Sequence, residues 1–188
     1  MKWALILIML FSVNICFGQS KAFTPEDFVN AISRQVVDSS ISSFYLYAKA
    51  PACSFKRFDY DEWYKYGLQQ DVPIYVLQEL AKQSYQDTLA HEWRQDKLQH
   101  TNCIDDATAK LLLSDAGNKH VSQRKPKFNK SEWVYYFSRP AFTEDNQYAV
   151  IDIGYRCDNL QCGMGATFIF KQTDGKWAIV GRKQAWGN

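Results

Sequence analysis

The hydrophobic period of this chain changes once along its length, and that change constrains the fold more than any other feature. From Thr24 to Val37 the apolar residues Phe28, Ile32 and Val36 recur every four positions, with Ala31 and Gln35 alongside. That is the spacing of one helical face. Thr24 is a capping residue, Pro25 suits the first helical position, and Glu26 and Asp27 favour the positive end of the dipole. A second helix is expected to open at Asp71-Val72-Pro73, capped by Asp71 and burying Ile74, Leu77, Leu80 and Ala81. Beyond Trp133 the pattern becomes that of strands. Trp133 to Phe137, Tyr148 to Tyr155, Ala166 to Lys171 and Lys176 to Val180 are rich in β-branched and aromatic residues. Asp174-Gly175, between the last two, is a strong hairpin signal.

Helices followed by a run of strands specify an α+β fold rather than an alternating parallel sheet. The expectation is N-terminal helices packed on a C-terminal antiparallel sheet of three to four strands. Ala149, Ile151 and Ile153 share one face of the second run, with Asp152 on the other, and Ile151, Ile153 and Ile169 are expected to face the helices. A short strand is expected at Ser43 to Ala48. His91 to Asp115 reads as short helical turns and loop, and Ala116 to Lys130 as a linker between the halves.

Met1 to Gly18 has the tripartite layout of a secretory signal peptide. Lys2 supplies the positive start, Trp3 to Val13 the apolar run, and Cys16-Phe17-Gly18 the small residues of a cleavage site. The run is too short to span a bilayer as a stop-transfer helix. Lipidation at Cys16 needs a small residue before the cysteine, where the bulky Ile15 stands. Cleavage would leave residues 19–188 as a single exported domain, periplasmic or extracellular, with no transmembrane segment. Formal charge is +2 for the 188 residues, one unit of it from Lys2, so the exported part has no general attraction for nucleic acid or anionic lipid. Arg124, Lys125, Lys127 and Lys130, beside Pro126 and Asn129, read as a solvated loop.

Of the five cysteines, Cys53, Cys103, Cys157 and Cys162 follow the leader. An even count in an exported chain favours disulfides. Cys157 and Cys162 flank the turn-forming Asp158-Asn159-Leu160-Gln161, so a bridge there staples a hairpin and leaves Cys53 to pair with Cys103. The spacing is looser than the Cys-x-x-Cys of redox enzymes, and nothing in it supplies the further ligands zinc would need. No metal or cofactor is expected.

Arg139-Pro140-Ala141-Phe142, Tyr148-Ala149-Val150-Ile151, Cys157 and Cys162-Gly163-Met164-Gly165, and Asp174-Gly175-Lys176-Trp177-Ala178-Ile179-Val180 form a block. It resembles the C-terminal part of small exported bacterial proteins of unknown function, and the resemblance implies no activity. The order of helices and then a curved sheet is similar to the cone-shaped α+β fold of the nuclear transport factor family, which hosts enzymes and inert binding domains alike.

Chemistry-bearing motifs fail one by one. His91-Glu92-Trp93-Arg94-Gln95 begins like a zinc-protease helix, but the fifth position is Gln95 instead of histidine. No Gly-x-Ser-x-Gly elbow occurs. Gly163-Met164-Gly165 sits between strands and reads as a bulge or relief of crowding beside Cys162. The neighbouring carboxylates Asp59, Asp61 and Glu62, and Asp105-Asp106, are adjacent in sequence, which does not hold two acids across one bond. Asp105-Asp106 equally suits a cap. Tyr60, Trp63, Tyr64 and Tyr66, interleaved with Asp59, Asp61, Glu62 and Lys65, mix flat rings with hydrogen-bonding groups and are the candidate binding residues; the competing reading is that the rings fill the core. The function expected is a non-enzymatic exported domain that binds a protein partner in the cell envelope, a glycan being less favoured. The alternative is a small hydrolase or isomerase using a pocket in a cone-shaped sheet, marked by a polar pair such as an Asp with a Tyr.

Overall fold

A computed structural model of the protein describes residues 23–37, 39–55, 62–68, 72–86, 91–122, 133–157 and 162–187. The expected leader at 1–18, Asp59, Tyr60, Asp61, the expected cap Asp71, the basic stretch from Arg124 to Lys130 and the segment from Asp158 to Gln161 lie outside the described residues.

Helix α1 (Pro25–Val36) starts as its sequence dictates. Thr24 Oγ1 accepts from the Asp27 amide at 3.2 Å while the Asp27 carboxylate accepts from the Thr24 amide at 3.0 Å, a reciprocal capping box. It stops at Val37, whose backbone turns extended. Phe28, Val29 and Ile32 are fully buried, each stabilising the fold by about 1.5–3 kcal/mol relative to exposure. Helix α2 (Ile74–Gln86) buries Val76, Leu77, Leu80, Ala81 and Ser84. Ile74, expected to be buried, is 51% exposed, because it lies about a quarter turn off the centre of that stripe.

The sheet confirms the α+β class and is larger than the sequence suggests. Strands β5 (Val134–Phe137), β7 (Tyr148–Arg156), β8 (Gly163–Thr173) and β9 (Lys176–Gly187) pair antiparallel in that order. These are the four C-terminal runs. The β8–β9 turn puts Asp174 at φ 51° and Gly175 at φ 74°, the doubly left-handed turn expected of an Asp-Gly hairpin. Beside β5 lies β1 (Phe44–Tyr47), and beyond it β4 (Thr101–Ile104); both β4 and β5 run parallel to β1. With the short β6 (Ala141–Phe142) on β7, the sheet has seven strands and is mixed.

The stretch from His91 to Asp115 accounts for much of the difference. β3 (His91–Glu92) pairs with β2 (Lys49–Ala50), a 3-10 turn covers Gln95–Lys97, and β4 follows. Helix α3 (Asp106–Ser122) then takes in the first part of the expected linker, so the helices are not confined to the N-terminal side of the strands. Asp105 caps it, its carboxylate accepting from the Thr108 amide at 2.8 Å.

Strand alternation separates two cores. On one face Leu46, Phe137, Ala149, Ile151, Ile153, Ala166, Phe168 and Phe170 pack with α1. On the other, Tyr148, Val150, Ile169 and Val180 pack with α2, while Val134 and Ile104 pack with Ala109 and Leu113 of α3. Ile169 thus faces α2, across the sheet from Ile151 and Ile153. Register shifts at Gly165/Ala166 and Ile169/Phe170 place irregularities along β8 and β9, the first of them at the glycine pair beside Cys162.

Candidate functional site

Among the expected binding residues, Trp63 is core. It opens a single π-helical turn (Trp63–Gly67), is 1% exposed, and packs edge-on against Phe55 at 5.6 Å within the α2 cluster. An indole this large fills the space between α2 and β9 and offers no face to a sugar or a partner. Tyr64 is 47% exposed, and its hydroxyl donates to the Val72 carbonyl at 2.7 Å. Tyr60 and the side chain of Tyr66 lie outside the described residues.

The cysteines divide differently from expectation. Cys157 and Cys162 are bridged, with Cα atoms 5.3 Å apart. Cys53 and Cys103 are free thiols. They belong to opposite faces: Cys53 is buried in the α2 cluster, whereas Cys103 packs against the α1 cluster. Burial, then the Asp152 charge, pushes the Cys53 thiol up to about 12, and burial pushes Cys103 to about 11. Neither is a ready nucleophile.

Polar clusters elsewhere hold the fold together. Asp152 accepts from the Thr167 hydroxyl at 2.6 Å and from the Ser54 amide at 2.5 Å, tying the segment after β2 to the sheet. Glu26, 3% exposed, meets His91 Nε2 at 3.1 Å and joins α1 to the β2–β3 pair. His91 is on a strand and Gln95 on a 3-10 turn, so the motif that began like a zinc-protease helix is not helical. An Asp–Tyr pair exists: the Tyr47 hydroxyl donates to Asp106, and that bond, reinforced by burial and charge, pushes Tyr47 up to about 12. The contact is exposed, and a phenol held protonated there has no enclosed space in which to act as a base.

Among the described residues, a groove and an open sheet face stand out. A groove of about 430 Å³ lies between Phe23 and Pro25 at the start of α1, Gln83 of α2, and the stretch from Arg139 to Asn146 around β6. The second surface is the α1 side of the sheet near the disulfide. There Trp133 stacks on Tyr155, centroids 4.3 Å apart and planes within 8°, and both pack against the edge of the α1 core. Tyr155 faces Met164 across the β7–β8 ladder. Arg182 of β9 lies over the Phe168 ring at 5.4 Å and reaches the Met164 sulfur at 3.7 Å. Trp133, Tyr155 and Met164 are half-buried, and Arg182 and Gln184 are exposed. Helix α1 makes its ring contacts at the other end, through Phe28 on Phe142, Phe170 and Trp177.

Sequence reasoning missed this strip because its members come from three strands and the residue before a fourth. One signal was present: a Cys157–Cys162 staple fixes the β7–β8 register, and with it the Tyr155–Met164 pair. No helix among the described residues is long and apolar enough to cross a membrane. No known protein family, curated protein or solved structure matches the chain.

Proposed function

We propose that the chain is an exported, non-catalytic domain that binds a protein partner in the cell envelope. The observation that carries this reading is the half-open strip of Trp133, Tyr155, Met164 and Arg182 on a sheet face. Aromatic residues, Met and Arg are the types enriched at the centres of protein interfaces, and a sheet backed by a packed core presents them rigidly. The Cys157–Cys162 bridge is compatible with an oxidising compartment, in keeping with the leader-like first eighteen residues and the resemblance of the C-terminal block to exported proteins.

The test is site-specific photo-crosslinking in the source cell. Gln184, opposite Ala166 and therefore on the same sheet face as the strip, carries the crosslinker in one variant; Tyr85, highly exposed on α2, carries it in the control. A discrete protein adduct at position 184 and none at 85 supports the reading. A folded, exported protein that yields no adduct at 184 refutes it.

A further inference from the structure

We infer that Gln95 is an edge lock: its side-chain amide makes the bonds a neighbouring strand would make to β4, and so keeps a second copy of this chain from adding there. The inference stands apart from the partner reading, because β4 and β9, the strand of Arg182, are opposite edges of the sheet. The Phe44 amide donates to the His100 carbonyl at 3.1 Å and the Ala48 amide to the Ile104 carbonyl at 2.9 Å. Those carbonyls therefore face β1, and alternation along the strand turns the backbone groups of Thr101 and Cys103 outward. Gln95 meets both residues. Its Nε2 donates to the Thr101 carbonyl at 2.7 Å, and its Oε1 accepts from the Cys103 amide at 2.6 Å.

An open edge is a template for further strands, and charged residues or proline commonly blunt one. Thr101-Asn102-Cys103-Ile104 has neither, and among the described residues no strand lies beyond β4. The turn that carries Gln95 is pinned in place. Asn30 of α1 donates to the Lys97 carbonyl and accepts from the Gln99 amide, both at 2.8 Å, and Arg94 pairs with Asp96. The opposite edge has a similar cover: Gln35 Nε2 donates to the Trp177 carbonyl of β9 at 2.7 Å, and Leu68 bridges Gly181. With the Gln95 amide removed, two copies of β4 fit each other antiparallel about a two-fold axis at the exposed Asn102. Each Cys103 amide then donates to the other copy's Thr101 carbonyl, and the two Asn102 residues form a non-hydrogen-bonded pair with Cα atoms about 4.5 Å apart.

The test compares the parent with Gln95→Met, which keeps the length of the side chain and removes its amide. In sedimentation equilibrium the variant is expected to self-associate at least about tenfold more strongly than the parent. Asn102→Cys in a Cys103→Ser background locates the contact: under mild oxidation a disulfide between copies should form with Gln95→Met and not with Gln95 in place. Equal association of parent and Gln95→Met, or dimers that Asn102→Cys does not trap, would overturn the inference. Hydrogen exchange tests the lock in the parent itself, whatever the variant's stability. The Cys103 amide should exchange at least about a hundredfold more slowly than an unstructured amide. Exchange at the unstructured rate would show that Gln95 does not hold the edge, and the inference would fall.

Discussion

The indole of Trp63 lies against the backbone of Gly181: a β-carbon added to that glycine would stand 3.0 Å from Cζ3. One added to Gly67 would stand closer still, 2.6 Å from Cε3. Between them the two glycines let the ring reach β9, where Leu68 forms a bridge with Gly181. Gly181→Ala is therefore expected to destabilise by about 1–3 kcal/mol through overpacking. Gly67→Ala should cost more, because the ring must move further, and Trp63→Ala about 3–5 kcal/mol. Urea unfolding followed by circular dichroism reads all three. A Gly67→Ala protein as stable as the parent would mean that the ring is not wedged there.

The two kinds of cysteine give a thiol count. The unreduced, denatured protein beginning at Gln19 should react with two equivalents of a thiol reagent, one each from Cys53 and Cys103. Folded protein should react first at the half-buried Cys103 and at Cys53 only on opening. Reducing the Cys157–Cys162 bridge should lower stability by roughly 2 kcal/mol, the chain-entropy value for so short a loop. Zero reactive thiols after denaturation would restore the Cys53–Cys103 bridge, and four would remove both.

What the sequence made legible follows the strength of its local signals. The Thr24–Asp27 capping box, the Leu77–Leu80–Ala81 stripe and the Asp174-Gly175 turn are each decided within a few residues, and the structure has all three. β4 was not legible: four residues in a polar stretch become a strand only because β1 stands beside them to pair with. Helix α3 was masked by a narrow apolar stripe, Ala109 and Leu113 being buried while Leu111 between them is exposed. The aromatic segment divides for a related reason. Composition records how many rings a stretch holds, but Trp63 and Tyr64, adjacent in sequence, leave the chain in different directions, one into the core and one to the surface. Nor can composition show that Arg182 and Trp133 share a face, which depends on the order of strands between them.

Asp105 carries a pH prediction. The Thr108 amide, then the Thr108 side chain, hydrogen-bond its carboxylate and hold it below the ordinary aspartate value of 3.8. A folded-state value below the unfolded one means the charged cap contributes in full from about pH 5 upward and is lost as pH falls through the unfolded and then the lowered value. Asp105→Asn keeps a side chain that caps nearly as well but does not titrate. The stability difference between parent and variant should be constant from pH 7 to about pH 5 and should shift against the parent below about pH 4. Thermal unfolding of both across that range is the measurement, and a difference unchanged down to pH 2 would contradict the depressed value.

Ile74 and Leu77 share one helix and one kind of side chain, and they should respond to truncation very unequally. Leu77 is fully buried between α2 and the sheet, so Leu77→Ala removes packed methyl groups and leaves a cavity, costing about 2–5 kcal/mol. Ile74, half exposed in the first turn, loses little burial, and alanine is the better helix former, so Ile74→Ala should change stability by less than about 0.5 kcal/mol. Chemical denaturation of the two variants decides it. Were Ile74→Ala to cost as much as Leu77→Ala, the first turn of α2 would have to be buried after all, and the helix would sit rotated by about a quarter turn from the face described here.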